Sequence, residues 1–463
     1  MLPKEFENNM KSILKNDYDA YIKALELPSK RGLIVNTNFN NSTETIKKYL
    51  KLNKIDFTPN GYTFNEEDKL GNTWFHHAGL IYLQEPSSMA PPLCFETLKG
   101  KKVLDLCASP GGKTIALSLQ IGDDGLLVSN EIVPQRAKIL FSNVERLALT
   151  NVVVTNNSPQ ELADVFNDFF DAILVDAPCS GEGMFRKDKN AINEWYVGCN
   201  KMCADRQKEI LNNATRMLKL GGQLVYSTCT FNKQENEDIV EYIISLGFEI
   251  LRVNSSIKNC SRDGIKNLKK DNLQECRRFY PMDNVGEGQF MALLKKCKNN
   301  DEVQQILPKN CKIKQNKANN IVNLNRTEQK IVTEFLNDTL QNLDCIKNYK
   351  IFNIGENVFL VKNIDLINLP LKFLSVGVNL GKLEKIRIEP HHYFFKVFGK
   401  NFKRQLKLNE QQVKDFIAGK ELESENCNNG YASVLYCGFI LGGGKIANGK
   451  LKNYYPKGLR AII

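Results

Sequence analysis

Nowhere in the 463 residues do about 18 apolar side chains run together, so no membrane-spanning helix is expected. The opening stretch, MLPKEFENNMKSILKNDYDAYIKALE, is charged throughout and offers no apolar core of a leader, which argues against secretion. Thirteen cysteines are present but no C-x-x-C pair. Cys199 and Cys203 come nearest, and without a second pair or a nearby histidine they make no zinc site. Irregular cysteine spacing in a long chain without an export signal points to reduced thiols and a cytoplasmic location. The four histidines form two adjacent pairs, His76-His77 and His391-His392. Neighbours on a regular strand turn to opposite faces and cannot offer both rings to one metal, so both pairs are read as structural. No repeat of about 20–50 residues is visible. What remains is ordinary globular material, 42% hydrophobic and 25% charged, in a chain long enough for roughly three domains.

Charge is lacking in one part and concentrated in another. Residues 298–463 hold 26 Lys and Arg against 15 Asp and Glu, while residues 1–297 hold 37 of each. The whole formal charge of +11 therefore sits in the last third. A basic segment joined to a neutral one suits an appended module for a polyanion, whose counterions it would release. Solubility explains the charge equally well, and charge alone names no partner.

The first 75 residues mix apolar runs with turns, as in SKRGLIVNTNFN and NKIDFTPNGYTF, and suggest a small α/β unit. From about residue 80 strands and helices alternate. Strands are expected at 101–106 (KKVLDL), 126–131 (LLVSNE), 151–155 (NVVVT), 171–176 (DAILVD), 223–228 (QLVYST) and 289–296 (QFMALLKK), with FEILRV a further extended run. Between them PQRAKILFSNVERLAL places Ala137, Leu140, Phe141, Val144, Leu147 and Ala148 on one helical face. A second helix, ADRQKEILNNATRMLKL, buries Ile210, Leu211, Ala214, Met217 and Leu218, with Gly221-Gly222 expected to close it. A third is expected at QENEDIVEYIISL. The alternation calls for an α/β fold with a doubly wound, Rossmann-like sheet over residues 76–297. Residues 298–325, rich in Asn, Lys and Gln, read as a linker. Beyond it NYKIFNIG, NVFLVK, YFFKVF and YASVLYCGFILGGG are strand-like and suggest a small α/β unit over 326–395 and a compact β module over 396–463.

An open parallel sheet binds its ligand at the carboxyl ends of its strands, and four such ends carry chemistry. After the first strand comes D105-L-C-A-S-P-G-G-K113. Its glycines allow backbone to approach a ligand at a helix N-terminus. It is neither the dinucleotide G-x-G-x-x-G nor the Walker loop, and a plain tight turn would explain two glycines as well. Glu131 ends the second strand, where an acid commonly accepts from ribose hydroxyls, though a lone acid there is more often solvated. D176-A-P-C-S-G-E-G-M-F and S227-T-C-T follow two further strands. Cys179 and Cys229 would thus flank one cleft. A single cysteine is usually a small buried apolar residue; two at adjoining strand ends, behind Asp-Ala-Pro and Ser-Thr, are more than packing requires.

Taken together, LQEPSSM, DLCASPGGKT, NEIVPQRAKIL, DAPCSGEGMFRKD, YSTCTF and GEGQF resemble the RNA cytosine-C5 methyltransferases of the NOL1/NOP2/sun family. The GMFRKD stretch and the final KLKNYYPKGLR resemble its bacterial 16S ribosomal RNA branch, and the resemblance runs from residue 1 to 463. It implies a class I methyltransferase domain with a small N-terminal RNA-binding-like unit over 1–75 and a PUA-like β-barrel module at the C-terminus. It implies S-adenosylmethionine as donor, bound by Cys107, Ala108, Ser109, Pro110, Gly111, Gly112 and Lys113, by Glu131 and by Asp176. It implies Cys229 as nucleophile, Cys179 as the group that assists release, and Asp176 at N3 of the base. DNA cytosine methyltransferases attack with the Pro-Cys cysteine, here Cys179, so the Thr-Cys cysteine points to RNA. Asp176-Ala-Pro-Cys lacks the aromatic clamp of amino-methylating enzymes. Two positions depart from the family pattern. A donor contact that is often Asp falls near Ser158, and Gln289 stands where histidine is commoner. Lying late in the domain, Gln289 is expected to have little effect.

The partner implied is 16S rRNA or the small ribosomal subunit, with no metal and no membrane, for a monomeric enzyme. The target base must leave its stack. Phe185-Arg186-Lys187 and Arg277-Arg278-Phe279-Tyr280 are aromatic-basic runs that would receive it, though such runs are more often surface or core. The alternatives are a tRNA methyltransferase of the same chemistry and an rRNA-binding assembly factor without activity.

Overall fold

A computed structural model describes residues 2–65, 67–266, 271–299, 321–362, 366–424 and 427–463. Its centre is a mixed sheet. The strand Lys102–Asp105 pairs in parallel with Leu126–Asn130 on one side and Phe170–Asp176 on the other. Val152–Thr155 continues the sheet outward from the first neighbour and Leu218–Thr228 from the second, both in parallel. Gln289–Lys296 then runs antiparallel to Leu218–Thr228. Strand order thus reverses at Lys102–Asp105, the switch point at which such sheets open a crevice.

Alternate residues feed two cores. Leu104, Val128, Ile173 and Val175 face one layer of helices, while Val103, Leu127, Leu174 and Val154 face the other. Strands covered on both sides read as unbroken apolar runs, which is why they stand out in the sequence. The helix Pro134–Arg146 starts with proline at its first position, where no N–H is missed. It buries Ala137, Leu140 and Val144; Phe141 is half-buried, and Ala148 lies beyond its end with φ at +54°.

Two expectations about this domain need correction. The long helix runs from Cys199 to Met217, starting five residues before the expected Ala204. Gly221 and Gly222 do not close it. Phe170 pairs with Leu218 and Ala172 with Gln223, so residues 219–222 bulge out opposite Asp171, with Gly221 at φ +76°.

The N-terminal sheet has four antiparallel strands, Asn53–Lys54, Gly61–Thr63, Gly32–Val35 and Ile81–Leu83, so it draws one strand from beyond residue 75. The helices Lys4–Leu14 and Tyr18–Leu25 instead seat Phe6, Met10, Leu14 and Tyr21 among Phe185, Trp195, Phe231 and Tyr280.

Of the expected linker, residues 300–320 lie outside the described residues. Its end is not linker: Ile321–Asn323 is a strand paired with Lys350–Ile354 in a five-stranded antiparallel sheet. YFFKVF is not a strand either. It lies within the helix His392–Phe398, which runs through the expected boundary at 395 and buries nearly every side chain it has. An apolar run of that length does not distinguish strand from buried helix. Gly442-Gly443-Gly444, the end of the strand-like run YASVLYCGFILGGG, lies inside the strand Phe439–Ala447 of a second five-stranded sheet. That sheet shares a core with the N-terminal one through Leu33, Val35, Phe416, Phe439 and Tyr455.

Candidate active site

Each strand end of the switch-point crevice is held by its neighbours. The Ala108 N–H donates to Asn130 O (2.8 Å), and Ser109 and Arg136 exchange two hydrogen bonds. This presses the loop 107–113 onto the ends of its own strand and the next. Gly111 caps the helix Gly112–Ile121 at φ +116°, a conformation that favours glycine. A Cβ on Gly112 would fall 1.6 Å from Gln84 Oε1, so the side chain of the LQEPSSM stretch closes directly over the loop. Burial pushes the Cys107 thiol far up, which leaves it neutral. Glu131 is buried; its Oε1 accepts from the Val133 N–H at 2.9 Å, and Arg136 stands 3.6 Å from Oε2.

Asp176 collects the centre of the crevice. Its Oδ1 accepts from Ser227 Oγ (2.7 Å) and Gln289 Nε2 (3.3 Å), and its Oδ2 pairs with Lys113 Nζ at 2.7 Å. Burial works against the Lys113 ammonium, yet the Asp176 carboxylate outweighs it and raises the pKa; Asp105 and Cys229 add to that field. Lys113, expected only in the donor loop, thus reaches the same carboxylate that the cysteines flank.

Parallel register sets Asp176 beside Ser227, so the two loops leave the sheet together. Cys179 Sγ and Cys229 Sγ lie 3.3 Å apart. The Gly183 N–H donates to Cys229 O at 2.8 Å and joins the loops backbone to backbone. The sulfur contact with Cys229, then burial, raises the Cys179 thiol well above its usual range. Cys179 is therefore held as the thiol.

Three further features take their places from the geometry. Gln289 is not peripheral: besides Asp176 it accepts from Ser88 Oγ at 3.1 Å, bridging the LQEPSSM stretch to the acid. The Ser158 hydroxyl is engaged in the capping box of the helix Pro159–Ala163, where it accepts from the Glu161 N–H. The aromatic-basic runs are structural, the commoner of the two readings weighed for them. Phe185 packs edge-on against Phe6, Arg186 is buried on Glu287 at 2.6 Å, Arg278 is buried on Glu237, and Tyr280 stacks on Phe231.

Residues that the sequence reading passed over are Gln84, Ser88, Ser227, Glu182 and Glu235. The first two stand in LQEPSSM, whose only signal was family likeness. Ser227 was visible as the residue paired with Asp176 once both strands were drawn.

Comparison with known proteins points to one family. Residues 93–295 match the family model for 16S rRNA methyltransferase RsmB/F. Residues 2–86 match that for the N-terminal domain of 16S rRNA methyltransferase RsmF, and 403–461 that for the methyltransferase RsmF PUA domain. The Ribosomal RNA small subunit methyltransferase F of Aliivibrio salmonicida is 30% identical over 95% of this chain and 93% of its own length. The same-named protein of Shewanella piezotolerans is 28% identical over 98% and 97%. A solved methyltransferase homologue from Pyrococcus horikoshii superposes with TM-score 0.56 at 27% identity, over 64% of this chain and 95% of that one. NSun6 from the same organism, solved with SFG, shares the fold at TM-score 0.55 and 20% identity, over 64% and 99%.

Proposed function

The chain belongs to the RsmB/F family of 16S rRNA methyltransferases, in its RsmF branch, and on that premise we propose that it transfers the methyl group of S-adenosylmethionine to carbon 5 of a cytosine in 16S ribosomal RNA. What carries the reading is the pair of sulfurs 3.3 Å apart, beside an acid already paired to a lysine.

The residues present fit the donor. The loop Cys107 to Lys113 ends in the first turn of a helix, whose N–H groups have no partner within the helix and suit a carboxylate. Glu131 has lone pairs left for ribose hydroxyls, and Ile132 beside it is 54% exposed, an apolar surface of the kind an adenine covers. When bound, the donor supplies a sulfonium methyl group that requires an electron-rich carbon.

Carbon 5 of cytosine is a weak nucleophile. Addition of the Cys229 thiolate to carbon 6 breaks the aromaticity and places enamine character on carbon 5. Protonation of N3, with the proton drawn from solvent, makes carbon 6 more electrophilic, and the Asp176 carboxylate is the acceptor for the N3–H so formed. After methylation the proton on carbon 5 must leave before the carbon–sulfur bond breaks and Cys229 departs with its electron pair. Cys179 is the group assigned to that release: its resting proton passes to solvent, and the thiolate so formed takes the proton from carbon 5 as Cys229 leaves.

The test is a pair of variants incubated with donor and rRNA from cells lacking the gene. Cys229→Ala should form neither 5-methylcytosine nor adduct, whereas Cys179→Ala should accumulate a denaturant-resistant protein–RNA adduct. The reverse pattern would sink the assignment. Bisulfite sequencing of rRNA from cells with and without the gene would locate the modified position.

A further inference from the structure

Two carboxylates, Glu182 and Glu235, are buried behind the cysteines, at 2% and 0% exposure. The donors that reach them are neutral. Glu182 belongs to the loop of Cys179, yet its Oε2 accepts from the Thr230 hydroxyl (2.8 Å) and the Phe231 N–H (3.1 Å), just past Cys229. Glu235 belongs to the segment after Cys229, yet its two oxygens accept from the hydroxyl (2.5 Å) and the N–H (3.0 Å) of Ser180, just past Cys179. The arrangement is crossed: each carboxylate is rooted in one cysteine's loop and grips the residue that follows the other cysteine.

Neighbours complete it. Asn200 Nδ2 lies 2.9 Å from Glu182 Oε1 and 2.8 Å from Glu235 Oε1, tying the two together. Trp195 Nε1 donates to Glu182, and Gln207 Nε2 to Glu235 and to the Pro178 carbonyl. The Ser180 and Thr230 hydroxyls also meet, at 2.8 Å. Buried carboxylates without a cation are costly, and a core could be filled more cheaply by apolar side chains. What this pair supplies instead is direction, because hydrogen bonds fix loop geometry more narrowly than packing does.

We propose that Glu182 and Glu235 are positioning residues that fix the separation of Cys179 and Cys229, by holding each cysteine's loop from the loop of the other. The catalytic consequence rests on the function proposed above; the structural one does not. A cytosine held by Cys229 must lie within reach of Cys179, so loosening either brace should slow turnover and release while leaving RNA and donor binding alone.

Two measurements on the full-length protein test this, with Glu182→Gln and Glu235→Gln. The first ignores methyl transfer: diamide takes one hydrogen from each thiol, is reduced to the hydrazine, and leaves a Cys179–Cys229 disulfide, followed by mass spectrometry. Its rate should fall about tenfold or more in each variant, as expected for losing hydrogen bonds to a charged group. The second is steady-state methylation of rRNA from cells lacking the gene: kcat should fall about 10- to 100-fold, with KM for RNA and donor within about twofold. A purely structural role would lower the thermal midpoint and the active fraction but leave the disulfide rate and per-site kcat of the folded protein unchanged, and that result overturns the proposal. Should the Gln variants not fold, Ser180→Ala and Thr230→Val remove single donors and are judged by the same two readouts. If the native protein methylates no rRNA while the disulfide rates fall as stated, the brace stands and the function above fails.

Discussion

Asp105 closes the first strand of the catalytic sheet with Oδ2 on the Thr114 hydroxyl (2.8 Å) and Oδ1 buried without a hydrogen-bond partner among the described residues. Burial raises its carboxyl to about 7, against an unfolded value of about 3.9. Between those two values the folded chain holds a proton that the unfolded chain releases. Its contribution to stability is therefore complete below about pH 4 and is lost as pH rises through about 7, a loss of about 4 kcal/mol. Asp105→Asn keeps an acceptor for Thr114 and cannot ionise. Urea denaturation at pH 5 and pH 8 should show a smaller drop for the variant; equal drops would point to another group. Gln289 carries the second residue-level prediction. Gln289→Leu removes the donor to Asp176 at nearly constant volume and should lower kcat about 10-fold in steady-state kinetics, with donor KM unchanged. The two cysteines were legible because each lies within three residues of a strand end and needs only the strand to be found. The contacts that Gln289, Glu182 and Lys113 make were not, because their partners stand 113, 48 and 63 positions away and only the folded register brings them together.

Elements were legible where burial on both faces leaves an unbroken apolar run. All six strands expected between residues 101 and 296 are present, with Gln289–Lys296 at the residues expected. Where tertiary contacts decide, local pattern misled. YFFKVF is apolar enough for a central strand, but Tyr393 donates to the Leu149 carbonyl (2.6 Å) and Lys396 to the carbonyls of Ala78 and Ile440 (2.5 and 2.7 Å), tying one short helix to three parts of the molecule. The glycine triplet is the counterpart of that helix. At Gly443 a Cβ would lie 2.0 Å from Phe395 Cδ1, so the strand needs glycine for the helix to approach, not for a turn. Gly443→Ala should lower unfolding stability by about 1–3 kcal/mol, read from the denaturant midpoint. A midpoint unchanged from the native protein would mean that this helix and strand do not pack as described.

At the scale of the whole molecule the basic last third is not a detachable tail. Phe373–Ser375 adds a strand to the catalytic sheet against Val152–Thr155, Leu366 and Leu371 enter its core, and Lys372 bonds Asn156 and Asn157, just beyond that strand. Deleting residues 298–463 would therefore strip an edge from the sheet next to Glu131 and confuse loss of RNA binding with loss of fold. The charge has to be tested in place. On the C-terminal sheet Lys445 and Lys452 are exposed and stand directly opposite one another on adjacent strands, with Tyr431 opposite Lys445 in the same row. Like charges so placed destabilise a sheet, a cost that binding a phosphate chain would offset. Replacing both with Gln should reduce the slope of log affinity for rRNA against log salt by about 1.4, one phosphate contact for each lysine. The same double variant should be as stable as the native protein or slightly more so, by about 0.2–1 kcal/mol, because the repulsion is relieved. Weaker, less salt-sensitive binding in a protein that unfolds no earlier separates an RNA surface from mere scaffolding; an unchanged slope in filter binding would leave these lysines serving solubility alone.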